Sequence, residues 1–285
     1  MEVIATNHYW DAMAKHFQFQ QPPLRPSAED IAQIENTIAV WQSHHPGQPL
    51  NALLLGVTPE IARLNWPANS HLLAIERSQP MIERFWIGDI PGRRTVRCTD
   101  WFHVEIPEAS MDIVVGDGVL TPLAFPTQYR QMAGRIARWL KPDGVLHLRV
   151  FARTETAESM TAIVVDLKAG RIPRFDILKW RIAMALQRDV QSGVLLADVF
   201  QTWEKLEREH SSEIENAGWP RETINTIQLY AGRQARYSFP TVAELDEAFS
   251  AELQRIGMNV PSYAFGECCP TLIYQRAREF RNAQK

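Results

Sequence analysis

The feature that most constrains the fold is an alternation of short apolar runs with amphipathic stretches between residues 48 and 153. Near-continuous apolar runs of strand length are typical of strands buried on both faces, and helices between them cover those faces. The pattern therefore predicts an α/β fold with a mostly parallel sheet. The predicted strands are residues 52–55, 71–75, 95–98, 111–115 and 145–151, and the predicted helices are residues 61–64, 80–86 and 128–140.

The pattern changes after residue 153. Residues 154–236 show only helical periodicity, and the predicted helices are residues 158–169, 175–187, 194–208 and 222–234. Residues 237–285 then return to the sheet domain, with a predicted helix at 242–256 and strand-like runs at 259–265 and 271–275. An insertion at the carboxyl edge of such a sheet lies beside the ligand crevice, so we interpret residues 154–236 as a helical cap. A purely stabilising or dimerising insertion is the alternative.

Residues 1–47 precede the first strand. Three prolines between residues 22 and 26 exclude a helix there and predict an extended arm. Ser27 is a predicted helix N-cap, with acidic residues in the turn that follows it. Apolar residues at helical spacing then predict one buried face, and the helix is expected to end near residue 44. These residues are Ile31, Ile34, Ile38 and Trp41.

Composition narrows the function classes. A formal net charge of −3 argues against a basic nucleic-acid footprint. Three cysteines do not form a disulfide framework in a chain of 285 residues and lack zinc-site spacing, so we expect reduced thiols, no metal and a cytoplasmic protein. Residues 1–15 show no basic region followed by an apolar run, so we expect no signal peptide, and no apolar run is long enough to cross a membrane.

The residues that follow the predicted strands form an ordered set of motifs, and ligands of parallel sheets bind at those carboxyl ends. The motifs are Leu55-Gly56-Val57-Thr58-Pro59-Glu60, Ile75-Glu76-Arg77-Ser78, Thr99-Asp100-Trp101, Gly116-Asp117-Gly118 and Lys141-Pro142-Asp143-Gly144. In this order and spacing, the set resembles the class I methyltransferases that use S-adenosylmethionine (SAM). The resemblance covers residues 50–153 and the final strand pair, and it does not extend to the helical insertion.

The resemblance implies a Rossmann-like sheet of seven strands with the last antiparallel, and SAM as cofactor. Gly56 would let the backbone approach the cofactor, because glycine has no side chain. Glu76 would accept hydrogen bonds from the ribose hydroxyls, Asp100 from the adenine amine, and Trp101 would lie against the adenine ring. The expected cofactor-binding residues are Gly56, Val57, Thr58, Glu60, Glu76, Arg77, Met81, Asp100, Trp101, Asp117 and Gly118.

One motif departs from the family. The first loop of these enzymes usually reads acid-x-Gly-x-Gly-x-Gly, whereas the matching positions here are Leu54, Gly56, Thr58 and Glu60. Thr58 and Pro59 can still form a tight turn, and Glu60 could supply the missing carboxylate to the cofactor's ammonium group. The alternative is a fold that has outlived its chemistry, so that the domain binds a ligand without transferring a methyl group.

Catalytic residues are the hardest to predict, because methyl transfer needs alignment and exclusion of water more than a specific base. We propose Asp117 and His103 as catalytic residues, with His8 and His147 as weaker candidates. The alternation along the fifth strand indicates that His147 packs or bonds inside the fold. Aromatic and cationic residues of the arm and the cap are the candidates for acceptor binding. They are Tyr9, Trp10, Arg25, Trp180 and Tyr230, although aromatics at helical spacing also suit a core.

The sequence therefore predicts a SAM-dependent methyltransferase with a small-molecule acceptor, no nucleic-acid or membrane partner, and a possible homodimer. The alternative is a catalytically inactive binding or regulatory module with the same fold. A nicotinamide-dependent oxidoreductase is disfavoured, because no Gly-x-Gly-x-x-Gly follows the first strand. An Asn-Pro-Pro-aromatic motif, which would favour a nucleic-acid substrate, does not follow the fourth strand.

Overall fold

A mixed seven-stranded sheet forms the centre of the protein, and the computed structural model describes residues 11–277. The strand order is β3-β2-β1-β4-β5-β9-β8. Strands β1 to β5 are parallel, and β9 runs antiparallel to both of its neighbours. The predicted sheet, with its last strand antiparallel, is therefore confirmed. Its strands are β1 (Asn51–Leu55), β2 (His71–Glu76), β3 (Arg94–Cys98), β4 (Met111–Asp117), β5 (Leu140–Arg149), β8 (Leu253–Asn259) and β9 (Thr271–Arg276).

Helices cover both faces of the sheet, as the apolar character of its central strands requires. Residues 52–55 of β1 and 112–116 of β4 are buried throughout, so each of these strands contributes to both faces. Two hydrophobic clusters lie on the two sides of the sheet. The helices of this part of the chain are α1 (Ala28–His44), α2 (Pro59–Ala62), α3 (Gln79–Phe85), α4 (Thr127–Trp139) and α10 (Val242–Phe249).

The insertion between β5 and α10 has a hydrophobic cluster of its own. Phe151, Leu24 and Met13 join that cluster, so the arm and the end of β5 pack against the cap. One expectation was wrong, because the block is not purely helical. Strands β6 (Val194–Leu195) and β7 (Arg236–Tyr237) form a small antiparallel pair in and beside it. Its helices are α5 (Met160–Lys168), α6 (Phe175–Leu186), α7 (Leu196–Glu209), α8 (Ser211–Asn216) and α9 (Arg221–Asn225), followed by a 3₁₀ turn at Thr226–Tyr230.

The predicted elements near the C-terminus were partly wrong. The helix expected at residues 242–256 ends at Phe249, and the chain then forms β8 where the helix was expected to continue. Strand β8 lies at the edge of the sheet, with five of its seven residues exposed. Because an edge strand needs little apolar surface, its sequence lacks the apolar run that identified the central strands.

The arm is compact where an extended segment was expected. Residues 22–25 form a turn, in which the Leu24 amide donates to the Gln21 carbonyl at 2.9 Å. Helix α1 begins as predicted, because Ser27 and Asp30 form a reciprocal capping box. Ile34, Ile38 and Trp41 are buried on its inner face. Among the described residues, no helix has the length and apolar character needed to cross a lipid bilayer.

Candidate functional site

Gly56 and Glu76 meet where β1 and β2 end. The Gly56 amide donates to the Ile75 carbonyl at 2.8 Å, and its φ of +91° is one that glycine adopts without strain. A β-carbon at this position would lie 3.8 Å from Glu76 Oε2. The Glu76 side chain is buried, and its Oε1 accepts from the Ser78 amide at 2.8 Å. Burial raises the pKa of Glu76 above its ordinary value, so its carboxylate lies where water solvates it poorly.

The altered loop after β1 leads directly into helix α2. Thr58 is the N-cap residue, and Pro59 is the first residue of the helix. Glu60 Oε1 pairs with Arg25 Nη2 of the arm at 2.5 Å. Glu60 Oε2 is buried and has no hydrogen-bond partner within residues 11–277. The loop therefore holds a buried acceptor atom that a ligand donor could satisfy.

Asp100 and Trp101 follow β3, as expected. The Trp101 indole N–H donates to the Ile75 carbonyl at 2.9 Å, which holds its ring beside the end of β2. Asp100 Oδ1 accepts from the Phe102 amide at 2.7 Å, and Asp100 Oδ2 lies 3.7 Å from Arg77 Nη1. Met81 is buried in the first turn of α3. These residues and the two loops above form one site, which we call the β1–β3 edge (residues 56–60, 76–81 and 100–101).

His103 belongs to this side of the sheet. Its side chain is 79% exposed, and its Nδ1 lies 3.7 Å from Asp100 Oδ1. Strands β2 and β1 separate β3 from β4, which carries Asp117. The structure thus places the two predicted catalytic residues at different strand ends and shows no contact between them. A role for either residue in catalysis stays a prediction.

Asp117 ends β4 and forms a buried ion pair that the sequence reasoning missed. Its Oδ1 accepts from Arg149 Nε at 2.5 Å, and both side chains are less than 10% exposed. Burial raises the pKa of Asp117, and the charge of Arg149 opposes that shift. The expected free carboxylate is therefore already paired with a protein group. Asp117 and Arg149 lie in register as the last residues of adjacent parallel strands, so pairing β4 with β5 would have revealed the contact.

Gly118 connects this ion pair to the cap through aromatic rings. Its φ is +64°, and a β-carbon there would lie 2.5 Å from Phe151 Cε2. Phe151 stacks on Trp180 of α6 at a centroid distance of 4.7 Å, and Trp180 also stacks on Tyr237. Trp180 thus lies beside Phe151, and a role for it in acceptor binding stays a prediction. Asp117, Gly118, Arg149 and Phe151 form a second region, which we call the β4–β5 edge.

Tyr230 lies elsewhere, within the hydrophobic cluster of the cap. Its ring centroid is 5.9 Å from Lys179 Nζ and 6.0 Å from the ring of Tyr237. Lys179 is buried and pairs with Asp176 at 3.0 Å. The structure therefore gives Tyr230 a packing position in the cap.

The arm contacts both edges of the site. Ser78 Oγ donates to Asp11 Oδ1 at 2.8 Å, Arg25 pairs with Glu60, and the Pro23 carbonyl accepts from Arg149 Nη1 at 2.7 Å. Arg25 also lies over the Phe17 ring. Arg25 is thus brought to the site, on the side of the loop after β1. Tyr9, Trp10 and His8 lie outside the described residues.

His147 is buried within β5 and bonds inside the fold, as its alternation predicted. Its Nδ1 is 2.9 Å from the Thr37 hydroxyl of α1, and burial lowers the pKa of His147 to about 3. The cysteines are free thiols, and Cys268 and Cys269 are buried. Within residues 11–277, no group of three or more His, Cys, Asp or Glu side chains is arranged to hold a metal ion.

Comparison with known proteins identifies the fold. No family model matches the chain. A carboxy-S-adenosyl-L-methionine synthase from Hydrogenovibrio crunogenus is 30% identical over 115 residues, which cover 38% of this chain and 44% of that protein. The chain thus matches less than half the length of this curated relative.

Two solved structures align over nearly the whole chain. The 1,6-didemethyltoxoflavin-N1-methyltransferase of Burkholderia thailandensis, solved with S-adenosylhomocysteine, has a TM-score of 0.52 at 13% identity and covers 96% of this chain and 89% of its own. A Rhodobacter sphaeroides protein provisionally described as a zinc-dependent alcohol dehydrogenase has a TM-score of 0.59 at 11% identity and covers 96% and 99%. Together with the strand order, the first likeness shows that this chain has the class I methyltransferase fold.

Proposed function

We propose that the protein is a SAM-dependent methyltransferase that acts on a small-molecule acceptor. The observation that carries the proposal is the juxtaposition of Gly56 and Glu76 at the ends of β1 and β2. There, the backbone of Gly56, which carries no side chain, lies next to the buried carboxylate of Glu76. A group with two adjacent hydroxyls, such as the ribose of SAM, supplies the donors that this carboxylate lacks.

The other residues of the β1–β3 edge suit the remaining parts of SAM. Glu60 Oε2, the buried acceptor without a partner in the described chain, could receive the ammonium group of the methionine moiety. Asp100 Oδ2 accepts no hydrogen bond from the described residues and could receive the adenine amine. Trp101 provides an indole face beside these groups. The residues present therefore fit the cofactor despite the loss of two loop glycines.

The chain's own residues would act mainly by positioning. When bound, SAM supplies a methyl group on a positively charged sulfur, which makes the methyl carbon electrophilic. Glu76 and Glu60 would hold the cofactor, and the cap and arm would exclude water from the strand ends. The negative charges of Asp117 and Glu60 would favour a cation in this region, although Arg149 and Arg25 partly compensate them.

The names of two relatives support this reading. One is a methyltransferase of a small molecule, and the other makes a derivative of SAM. The cap packs against Phe151 next to the end of β5, and a cap beside the strand ends suits a metabolite better than a polymer. A cytoplasmic location, a homodimer and the absence of a nucleic-acid partner remain predictions from the sequence.

A second candidate is a binding module that has lost methyl transfer. The Arg25–Glu60 ion pair favours it, because this pair already engages one oxygen of the carboxylate that the ammonium group would need. Such a module would bind SAM or a related nucleoside, yet would transfer no methyl group to any acceptor.

Titration calorimetry of SAM into the wild-type protein, Glu76→Gln and Glu76→Ala tests the cofactor. We expect micromolar binding to wild type and a loss of at least about tenfold in both variants, since a hydrogen bond to a charged group contributes roughly 1.5–3 kcal/mol. Incubation with methyl-labelled SAM and fractionated metabolites then separates the two candidates. Absence of SAM binding to the wild-type protein would refute both.

A further inference from the structure

Arg149 has an unused hydrogen-bonding group at the β4–β5 edge. Its guanidinium donates from Nε to Asp117 and from Nη1 to the Pro23 carbonyl at 2.7 Å, and Nη1 also lies 3.4 Å from the Tyr263 hydroxyl. Nη2 is buried and has no hydrogen-bond partner within residues 11–277. The side chain is only 4% exposed. Buried donors of this kind are almost always satisfied in proteins, because an unmet one costs roughly 1–3 kcal/mol.

The buried polar atoms without a hydrogen-bond partner in residues 11–277 differ between the two edges. At the β1–β3 edge, Glu60 Oε2 is an acceptor that suits the hydroxyls and ammonium of a cofactor, and Nε of its ion-pair partner Arg25 is a donor. Around the β4–β5 edge, the unmet groups are donors. They are Arg149 Nη2 and the indole N–H of Trp180. Both side chains contact Phe151: Arg149 Cζ lies 5.3 Å from the Phe151 ring centroid, and the ring centroids of Trp180 and Phe151 are 4.7 Å apart. The second edge therefore calls for a ligand that brings oxygen acceptors.

The charges nearby favour a carboxylate over a phosphate. Asp117 neutralises Arg149, and Arg25 neutralises Glu60, while Asp30 accepts from Ser27 and from the Tyr263 hydroxyl. Asp30 shares the Tyr263 hydroxyl with Arg149 and forms no ion pair within residues 11–277, so it is one negative charge close to Arg149. A dianionic phosphate would add two more. A carboxylate adds only one. A guanidinium N–H and a carboxylate oxygen also form a strong charge-assisted hydrogen bond.

We propose that Arg149 Nη2 binds a carboxylate group of the methyl acceptor, so that the substrate class is small carboxylic acids. This inference rests on the proposed function. The carboxylate serves as the group that holds the acceptor and undergoes no bond change itself. The topology supports separate sites for cofactor and acceptor, because the strand order reverses between β1 and β4. A cofactor bound over β1–β3 leaves β4, β5 and the cap for the acceptor.

The test uses the full chain saturated with S-adenosylhomocysteine and four small probes. Acetate and benzoate are titrated beside their neutral counterparts, acetamide and benzamide, and binding is followed by NMR chemical-shift changes. We expect each carboxylate to bind at least tenfold more tightly than its amide. Inorganic phosphate is titrated as the competing anion and is expected to bind more weakly than benzoate. Equal binding of acids and amides, no carboxylate binding at all, or a preference for phosphate would each overturn the inference.

Variants assign the effect to Arg149. Arg149→Lys keeps a cation for Asp117 but lacks the planar second N–H group, and it should reduce benzoate affinity at least tenfold while SAM affinity changes less than threefold. Arg153→Lys is the matched control, since Arg153 pairs with Glu244 beside the same cap, and it should leave both affinities unchanged. Undiminished benzoate binding in Arg149→Lys would refute the assignment.

The two proposals can fail separately. Binding of S-adenosylhomocysteine without any preference for carboxylates would refute this inference and leave the methyltransferase proposal intact. Failure of both SAM and S-adenosylhomocysteine to bind would refute the methyltransferase proposal itself. Should Arg149→Lys not fold, the comparison of acids with amides on the wild-type protein still decides the question.

Discussion

The β1–β3 edge and the β4–β5 edge lie on the same side of one sheet, yet their polar groups are arranged differently. At the first edge, the Glu76 carboxylate accepts from the Ser78 amide, and Glu60 Oε2 has no partner within residues 11–277. At the second edge, Asp117 and Arg149 neutralise each other, and Arg149 also joins the arm and Tyr263. The first edge thus holds groups ready for a ligand, whereas the charges of the second mainly hold the protein together.

The largest effect that would test this difference is on stability. Arg149→Met leaves Asp117 buried without its partner, which should lower the free energy of unfolding by about 3–5 kcal/mol. Glu76→Gln should cost little, because it removes a buried carboxylate that forms no ion pair within residues 11–277. Urea denaturation measures both.

A double variant provides the control for that prediction. Asp117→Leu combined with Arg149→Met removes both charges and should recover much of the lost stability, since the penalty comes from an unpaired buried charge. If Arg149→Met cost less than about 1 kcal/mol, the β4–β5 edge would not have the structural role assigned to it.

Gly56→Ala tests the ligand role of the first edge. The left-handed backbone makes alanine cost roughly 1–2 kcal/mol of stability, and its methyl group would project toward Glu76 Oε2. Gly47→Ala is the matched control, because its φ is +75° and no atom lies within 4 Å of the added carbon. Both variants should lose similar stability, but only Gly56→Ala should lose SAM affinity. We expect a loss of at least about tenfold, because the added methyl group would displace a hydrogen bond between the cofactor and Glu76. Equal affinities by calorimetry would exclude a close cofactor at Gly56.

The same difference explains what the sequence could predict. The position of the β1–β3 edge was predictable because its groups lie at the strand ends or in the first turns after them, so that local motifs such as Gly56 and Glu76 carry the information. The contacts of the β4–β5 edge join residues far apart in the chain. Arg149 meets the Pro23 carbonyl, and Tyr263 meets Asp30, through contacts that only the folded chain creates.

The cap and the C-terminal region show the same limit. The boundaries of α6 followed from its apolar periodicity, whereas β8 escaped detection because exposed edge strands carry no such pattern. The position of Trp180 also depended on the fold, because its helical spacing does not show that its ring meets Phe151.

The pH dependence of SAM binding would sharpen the comparison further. Burial raises the pKa of Glu76, and hydrogen bonds from ribose hydroxyls favour its ionised form. SAM affinity should therefore be constant above that raised pKa and fall by up to about tenfold per pH unit as the pH drops below it. Glu76→Gln should bind SAM weakly, and its affinity should not change with pH. If the SAM affinity of Glu76→Gln still fell at low pH, the proton would belong to another group.

The linked effect on stability has a definite sign. Because the pKa of Glu76 is raised in the folded state, its favourable contribution is present below the ordinary pKa of glutamate and is lost as the pH rises through the folded value. Glu76→Gln has no carboxyl group to ionise, so it avoids this loss of stability as the pH rises. Without cofactor, the variant should therefore be at least as stable as the wild-type protein at neutral pH, as measured by thermal unfolding.

The smallest expected effect concerns the Arg25–Glu60 ion pair. Within the described residues, it is the only ion pair between the arm and the first edge. Arg25→Gln frees both oxygens of Glu60 and removes a positive charge near the expected site of a cationic cofactor. Because both side chains are partly exposed, the gain should be small, and SAM affinity should rise by no more than about threefold. Arg174→Gln is the control, since Arg174 contacts Gln21 of the same arm and should leave the affinity unchanged. A fall in SAM affinity in Arg25→Gln would show that Arg25 itself contacts the cofactor, and the first edge would then share the self-paired character of the second.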